Sequence, residues 1–124
     1  MIAVRRAADG FEVCLIRKKL SRTWGIPKGM VEHGQTHEET ALNEAWEEAG
    51  IKGRLMGDAL GTYEYRKWGV VLEVAVYLMH VLEQHAEWDE VQYRDRDWVS
   101  FDQAATRLAD HAVLPLLERA RTRL

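Results

Sequence analysis

The chain has 124 residues, enough for one domain with a core of its own and too few for two. Apolar residues make up 47% and charged residues 30%, the balance of a globular protein rather than of a disordered or membrane-embedded one. A net charge of −3 argues against a general grip on nucleic acid. The longest apolar-leaning run, Val70 to Leu82, is interrupted by Glu73 and His80, so a bilayer-spanning segment is not expected. Met1 leads straight into "IAVRR" with no signal-peptide pattern, and Cys14 is the single cysteine. The expectation is therefore a cytoplasmic protein without an internal disulfide.

In chain order, "MIAVRR" and "FEVCLIR" are short β-forming runs separated by "AADG", where Asp9 and Gly10 supply turn chemistry for a hairpin. "LSRTWGIPKG" reads as loop, because Gly25, Pro27 and Gly29 break any regular period. A helix starts near Thr36, an N-cap with Glu39 three positions on to complete a capping box. Gly50 ends it, and Ile51 seals the end. "RLMGDALGTYEYR" and "VVLEVAVYLMHVL" read as two strands, the second apolar enough to be covered on both faces. "EQHAEWDE" is an acidic loop, and "VQYRDRDWVSF" alternates like a half-buried strand. A short helix capped by Ser100 or Asp102 follows, then a terminal one with Pro115 in its first turn and Leu114, Leu117 and Ala120 on its apolar stripe. Strands with one helix mid-chain and helices at the end predict a sheet covered on two sides.

The mid-chain helix carries Glu44, Glu47 and Glu48. At 100° per residue, Glu48 lies about 40° to one side of Glu44 and Glu47 about 60° to the other. Ala41, Leu42, Ala45, Trp46 and Ala49 fill the adjoining arc that packs on the sheet. The carboxylates thus crowd the edge of the buried stripe, where like charges at i, i+4 cost about 0.2–0.5 kcal/mol per pair even in water. Glutamate-rich helices are commonly plain solvated surface, but a hard divalent cation would turn this crowding to use, since such ions take carboxylate oxygens. The glycines upstream would let the backbone approach a ligand, with Lys28 among them as a phosphate-binding cation. His33 and His37, four apart with no other ligand types beside them, read as polar surface.

The spacing resembles the Nudix box, Gly-x5-Glu-x7-Arg-Glu-U-x-Glu-Glu-x-Gly-U with U apolar, over residues 29–51. Gly29, Glu44, Ala45, Glu47, Glu48, Gly50 and Ile51 fall at their offsets, seven of nine defined positions. The order of strands around the box is similar to the family's as well. "EEAGIKG" and "DRDWVSF" look most like its diphosphoinositol polyphosphate phosphohydrolase branch, while "WGIPKG" is similar to dinucleoside tetraphosphate hydrolases and decapping enzymes. The resemblance implies a single domain over 1–124 with an α/β/α sandwich around a mixed sheet. It also implies hydrolysis of a nucleoside or inositol diphosphate joined to another group, such as a diphosphoinositol or dinucleoside polyphosphate. Glu44 and Glu48 would be the main ligands of Mg²⁺ (or Mn²⁺), helped by the backbone carbonyl of Lys28 or Gly29, while Glu47 would bind metal or activate water. Lys18, Lys19, Arg22, Lys28, Arg66, Lys67, Arg94 and Arg96 are the candidate phosphate-binding cations, about half of them expected to touch a small phosphorylated substrate. The expected assembly is a monomer or homodimer that binds neither membrane nor, stably, nucleic acid.

Two positions depart from the box: Gln35 replaces its first Glu and Asn43 its Arg. Both charges of a family ion pair are lost together, so neither is stranded, and an amide hydrogen bond between Gln35 and Asn43 is the expected replacement. The departures leave open a binding module without turnover. A hydrolase of RNA 5′ ends is a further alternative, disfavoured by the absence of an extended basic surface.

Overall fold

A computed structural model describes residues 1–29 and 34–124. The elements run β1 (Ile2–Ala7), β2 (Gly10–Lys18), α1 (His37–Ala49), β3 (Ile51–Leu55), β4 (Gly61–Lys67), β5 (Val70–Val76), β6 (Leu78–Gln84), β7 (Arg94–Ser100), α2 (Phe101–Arg107) and α3 (Leu114–Arg123). Five strands form one sheet in the order β3-β6-β1-β2-β7, while β4 and β5 make a separate two-stranded hairpin. The β1–β6 pair is parallel and the other pairs of the large sheet are antiparallel, so the central sheet is mixed, as expected.

Side-chain alternation along β1 and β2 makes the sandwich. Ala3, Cys14 and Ile16 point to one face, where Ala41, Ala45 and Ala49 of α1 and Ile51 and Met79 pack with them. Ile2, Val4, Val13 and Leu15 point to the other, against Phe101, Ala104, Leu108, Leu116, Leu117 and Ala120 of α2 and α3. Small alanines on α1 let that helix lie close to the sheet. The second layer also takes Leu60, Tyr63 and Val76, which anchors the β4–β5 hairpin to the body of the fold. The first hairpin closes as expected, with Ala7 paired to Gly10 and Gly10 at φ 126°, a backbone region that favours glycine.

Three expectations about strands are corrected. The run from Val70 to Leu82 is two strands: β5 pairs with β4, then the chain passes Tyr77 and β6 inserts between β3 and β1. The apolar run crosses the change of sheet at Tyr77 without a turn signal, because hydrophobicity reports burial and not pairing partner. "RLMGDALGTYEYR" holds the end of β3, a connection and β4, and Ile51 opens β3 directly after the helix. Finally, β7 begins at Arg94, and Val91 and Tyr93 lie in the turn before it. Both terminal helices agree with expectation, Ser100 forming a full capping box with Gln103 and Pro115 sitting in the first turn of α3. Among the described residues, no helix is long and apolar enough to cross a membrane.

Candidate functional site

The site is assembled by a loop pinned to the sheet and a helix capped at both ends. In the loop, Gly25 and Ile16 exchange backbone hydrogen bonds of 2.8 and 3.0 Å, and Ile26 and Pro27 are buried. The Trp24 ring is flanked by the guanidinium groups of Arg17 from β2 and Arg107 from α2, 4.4 and 4.8 Å from its centre, each a cation–π contact that holds the loop. The Pro27 carbonyl accepts from the Met1 amine at 2.7 Å. Lys28 and Gly29 are thereby delivered to the side of α1.

On α1, the Thr36 hydroxyl accepts from the Glu39 N–H at 3.1 Å and the Glu39 carboxylate accepts from the Thr36 N–H at 3.3 Å, the expected capping box. Gly50, at φ 65°, stops the helix in the left-handed conformation. Between these caps the three glutamates diverge in environment: Glu47 is exposed, Glu44 half-buried, and Glu48 only 4% exposed. The packed arc therefore extends further towards the acidic edge than the alanine stripe suggests.

Glu48 is held from two sides. Its Oε1 accepts the Lys28 N–H at 2.9 Å, and its Oε2 accepts from Arg94 Nη2 at 3.2 Å. Burial pushes its carboxyl above the ordinary range, opposed by the Lys28 N–H and then by the Arg94 charge. Arg94 also donates from Nε to Glu90 Oε1 at 3.0 Å, and the Glu90 N–H donates to the Glu47 carbonyl at 3.1 Å. Gly29 faces Glu44 so closely that a Cβ there would overlap the Glu44 carboxyl group, which would have to swing aside to admit it.

Of these residues Lys28, Gly29, Glu48 and Arg94 line a cleft of about 370 Å³ bordered also by α1, the end of β2 and the β4–β5 hairpin, while Glu44, Glu47 and Glu90 lie outside its lining. Its volume is at the lower end of the range of small-molecule sites. Of the expected phosphate-binding cations, Lys18, Lys28, Lys67 and Arg94 line it. The Lys28 ammonium lies 4.2 Å from the centre of the Tyr65 ring. The other four do not join the cleft. Lys19 pairs with Asp95 at 3.1 Å, and Arg96 Nη1 donates to the carbonyls of Ala49 and His85 at 2.7 and 2.9 Å, its guanidinium over Trp88. Arg22 and Arg66 are exposed and outside the lining.

The donors suit a hard divalent cation: two carboxylates one helical turn apart and a loop backbone pressed against one of them. Among the described residues, no three of His, Cys, Asp and Glu converge to hold a metal alone. Mg²⁺ is commonly bound through one or two carboxylates together with water and ligand phosphates. When bound, such an ion would neutralise phosphoryl charge and acidify a coordinated water. Glu44, Glu48 and the carbonyls of Lys28 and Gly29 are the groups that would hold it.

The expected Gln35–Asn43 hydrogen bond is corrected: Gln35 Oε1 accepts from the Thr40 hydroxyl at 3.1 Å, and Asn43 is exposed. The reason is proximity, since Thr40 sits in the first turn, beside the end of the loop. His33, and box positions 30–33 generally, lie outside the described residues. In sequence Glu87, Asp89 and Glu90 of the acidic loop stand out only as a further ligand or as water-facing surface. The pairing of Glu90 with Arg94 was not expected, although its i, i+4 spacing was a usable signal. Sequence reasoning also passed over Tyr65, Leu72 and Val74, which line the cleft from the β4–β5 hairpin.

The NUDIX domain family model matches residues 1–119. The chain is similar to Arabidopsis thaliana Nudix hydrolase 16, mitochondrial, with 37% identity over 64% of this chain and 48% of that protein. It is also similar to Nudix hydrolase 4 of the same plant, with 32% identity over 75% of this chain and 45% of that protein. It thus spans about half the length of these curated relatives. Among solved structures, a C. elegans Ap4A hydrolase binary complex superposes with TM-score 0.82 at 21% identity, covering 98% of this chain and 91% of that one. A UDP-X diphosphatase superposes with TM-score 0.69 at 21% identity, covering 98% and 61%; both are likenesses of fold. A family model spanning nearly all of the sequence, over a glycine-backed pair of helix carboxylates, establishes that this chain belongs to the Nudix family.

Proposed function

We propose that the chain is a Mg²⁺-dependent hydrolase, with Mn²⁺ as a substitute, that cleaves a diphosphate linkage in a small phosphorylated molecule. Dinucleoside polyphosphates and diphosphoinositol polyphosphates are the first substrates to try. The observation that carries this reading is the convergence of Lys28, Gly29, Glu44 and Glu48 beside a cleft lined by Lys18, Lys67 and Arg94. Glu44 and Glu48 hold the cation, the cleft lysines take phosphate oxygens, and Glu47, exposed on the adjoining turn, accepts the proton of the attacking water. Two proteins of like fold, an Ap4A hydrolase and a UDP-X diphosphatase, are in keeping with a phosphoanhydride substrate. A buried, unpaired Cys14 suits a reducing compartment such as the cytoplasm.

The test is a substrate panel assayed with purified protein and Mg²⁺, monitoring released phosphate and nucleotide. Turnover of at least one anhydride is expected, and Glu47→Gln should lower kcat by about 10²-fold or more with the fold intact. A silent panel would overturn the reading. The second reading, a binder without turnover, draws on neutral Gln35 and Asn43. It is favoured if phosphorylated ligands bind but persist, and if Gln35→Glu with Asn43→Arg awakens turnover.

A further inference from the structure

Arg94 reaches two carboxylates with two different nitrogens: Nη2 to Glu48 at 3.2 Å and Nε to Glu90 at 3.0 Å. Glu48 is nearly excluded from solvent, so without a partner its charge would be costly. Its Oε1 accepts the Lys28 N–H and its Oε2 accepts from Arg94, and Glu48 lines the cleft. Arg94 itself lines that cleft, its side chain 20% exposed. A divalent ion arriving at Oε2 would stand within a few ångströms of a guanidinium, and like charges at that distance repel strongly in a poorly solvated site.

We propose that Arg94 is a built-in counter-ion for Glu48 that a divalent cation displaces. The guanidinium pivots on its bond to Glu90, leaves Glu48 and turns to the phosphate of the incoming ligand. Arg94 is then a positioning residue, orienting the buried carboxylate before loading and gripping phosphate afterwards. Both roles need the fork of a guanidinium, since one ammonium cannot hold two carboxylates in fixed directions. The inference rests on the reading of Glu48 as a metal ligand.

The experiment is calorimetric titration of Mn²⁺ into wild type, Arg94→Ala and Arg94→Lys, each checked for folding by circular dichroism. A second titration adds methylenediphosphonate, a non-hydrolysable diphosphate, at saturating Mn²⁺. With the competitor removed, Arg94→Ala should take Mn²⁺ alone roughly three- to ten-fold more tightly than wild type. It should then bind the diphosphonate several-fold more weakly, with Arg94→Lys between the two on both measures. A purely structural arginine predicts the opposite sign for Mn²⁺, so unchanged or weaker Mn²⁺ binding by folded Arg94→Ala overturns the proposal. If Arg94→Ala does not fold, wild-type protein decides through the ¹⁵N spectrum. The Arg94 Nε–H signal, assigned by its loss in Arg94→Lys, should shift on adding Mg²⁺ under the proposal and stay in place otherwise. Metal uptake by no variant, wild type included, would refute the metal reading itself and this inference with it. Uptake by wild type with no gain in Arg94→Ala would refute this inference alone.

Discussion

Glu48 and Tyr63 are two polar side chains in the interior with opposite outcomes. Glu48 is compensated on both oxygens, so its burial is a poised charge rather than a defect. The Tyr63 hydroxyl is buried with no hydrogen-bond partner among the described residues, and burial raises its phenol above the ordinary range. Its ring makes an edge contact with His111, 5.3 Å between centres, which accounts for the aromatic but not for the oxygen. A buried hydroxyl without a partner costs roughly 1–3 kcal/mol. Tyr63→Phe is therefore expected to leave stability unchanged or raise it by up to about 1 kcal/mol in chemical denaturation. A loss of more than about 1 kcal/mol would mean that an ordered water or a partner satisfies this oxygen. Gln35 and Asn43 show the limit of reading residues in pairs. Their identities are compatible with an amide bond, yet Thr40 is nearer to Gln35 and takes its place.

At the scale of elements, α1 was legible because its signals are local: an N-cap, a capping box, an alanine stripe and a terminal glycine all lie within sixteen residues or so of each other. The strands were less so. Gly53 carries no strand signal, yet it sits in β3, where the register against β6 shifts between Lys52 and Gly53. A Cβ at this position would collide with the His80 carbonyl of β6, a main-chain atom that cannot swing aside. Gly53→Ala should thus destabilise the protein by more than about 2 kcal/mol, the range of overpacking against an unyielding neighbour, read as a lowered denaturation midpoint. An unchanged midpoint would mean that β3 and β6 separate without cost. The break at Tyr77 was invisible for a different reason: its hydroxyl donates to Glu38 at 2.6 Å, a partner 39 residues away that no local pattern announces.

At the scale of the molecule, the cleft is bordered by Met1 beside the central strand β1, the loop, α1, the end of β2, the start of β7 and the β4–β5 hairpin. Each of the five tryptophans has a cationic side chain over its ring, so part of the basic character that composition displays is held against rings; of these cations Lys67 also lines the cleft. Metal binding to such a site must show as added stability of the whole fold. Mg²⁺ at about a hundred times its dissociation constant should stabilise by roughly 2.7 kcal/mol, a rise in Tm of several degrees. The rise should be abolished by chelation and by Glu44→Gln. A Tm indifferent to Mg²⁺ in wild type would count directly against a cation at Glu44 and Glu48.

The sequence by itself determined the layered α+β plan, the capped helix and the spacing of Gly29, Glu44, Glu47 and Glu48, because each depends on periodicity or on residues close along the chain. Only the tertiary structure decided which of the eight cations face the cleft, that Glu90 and Arg94 join Glu48, and that one apolar run serves two sheets. Those outcomes depend on which distant segments meet, and long-range pairing is set by the packing of the whole core rather than by the character of any one stretch.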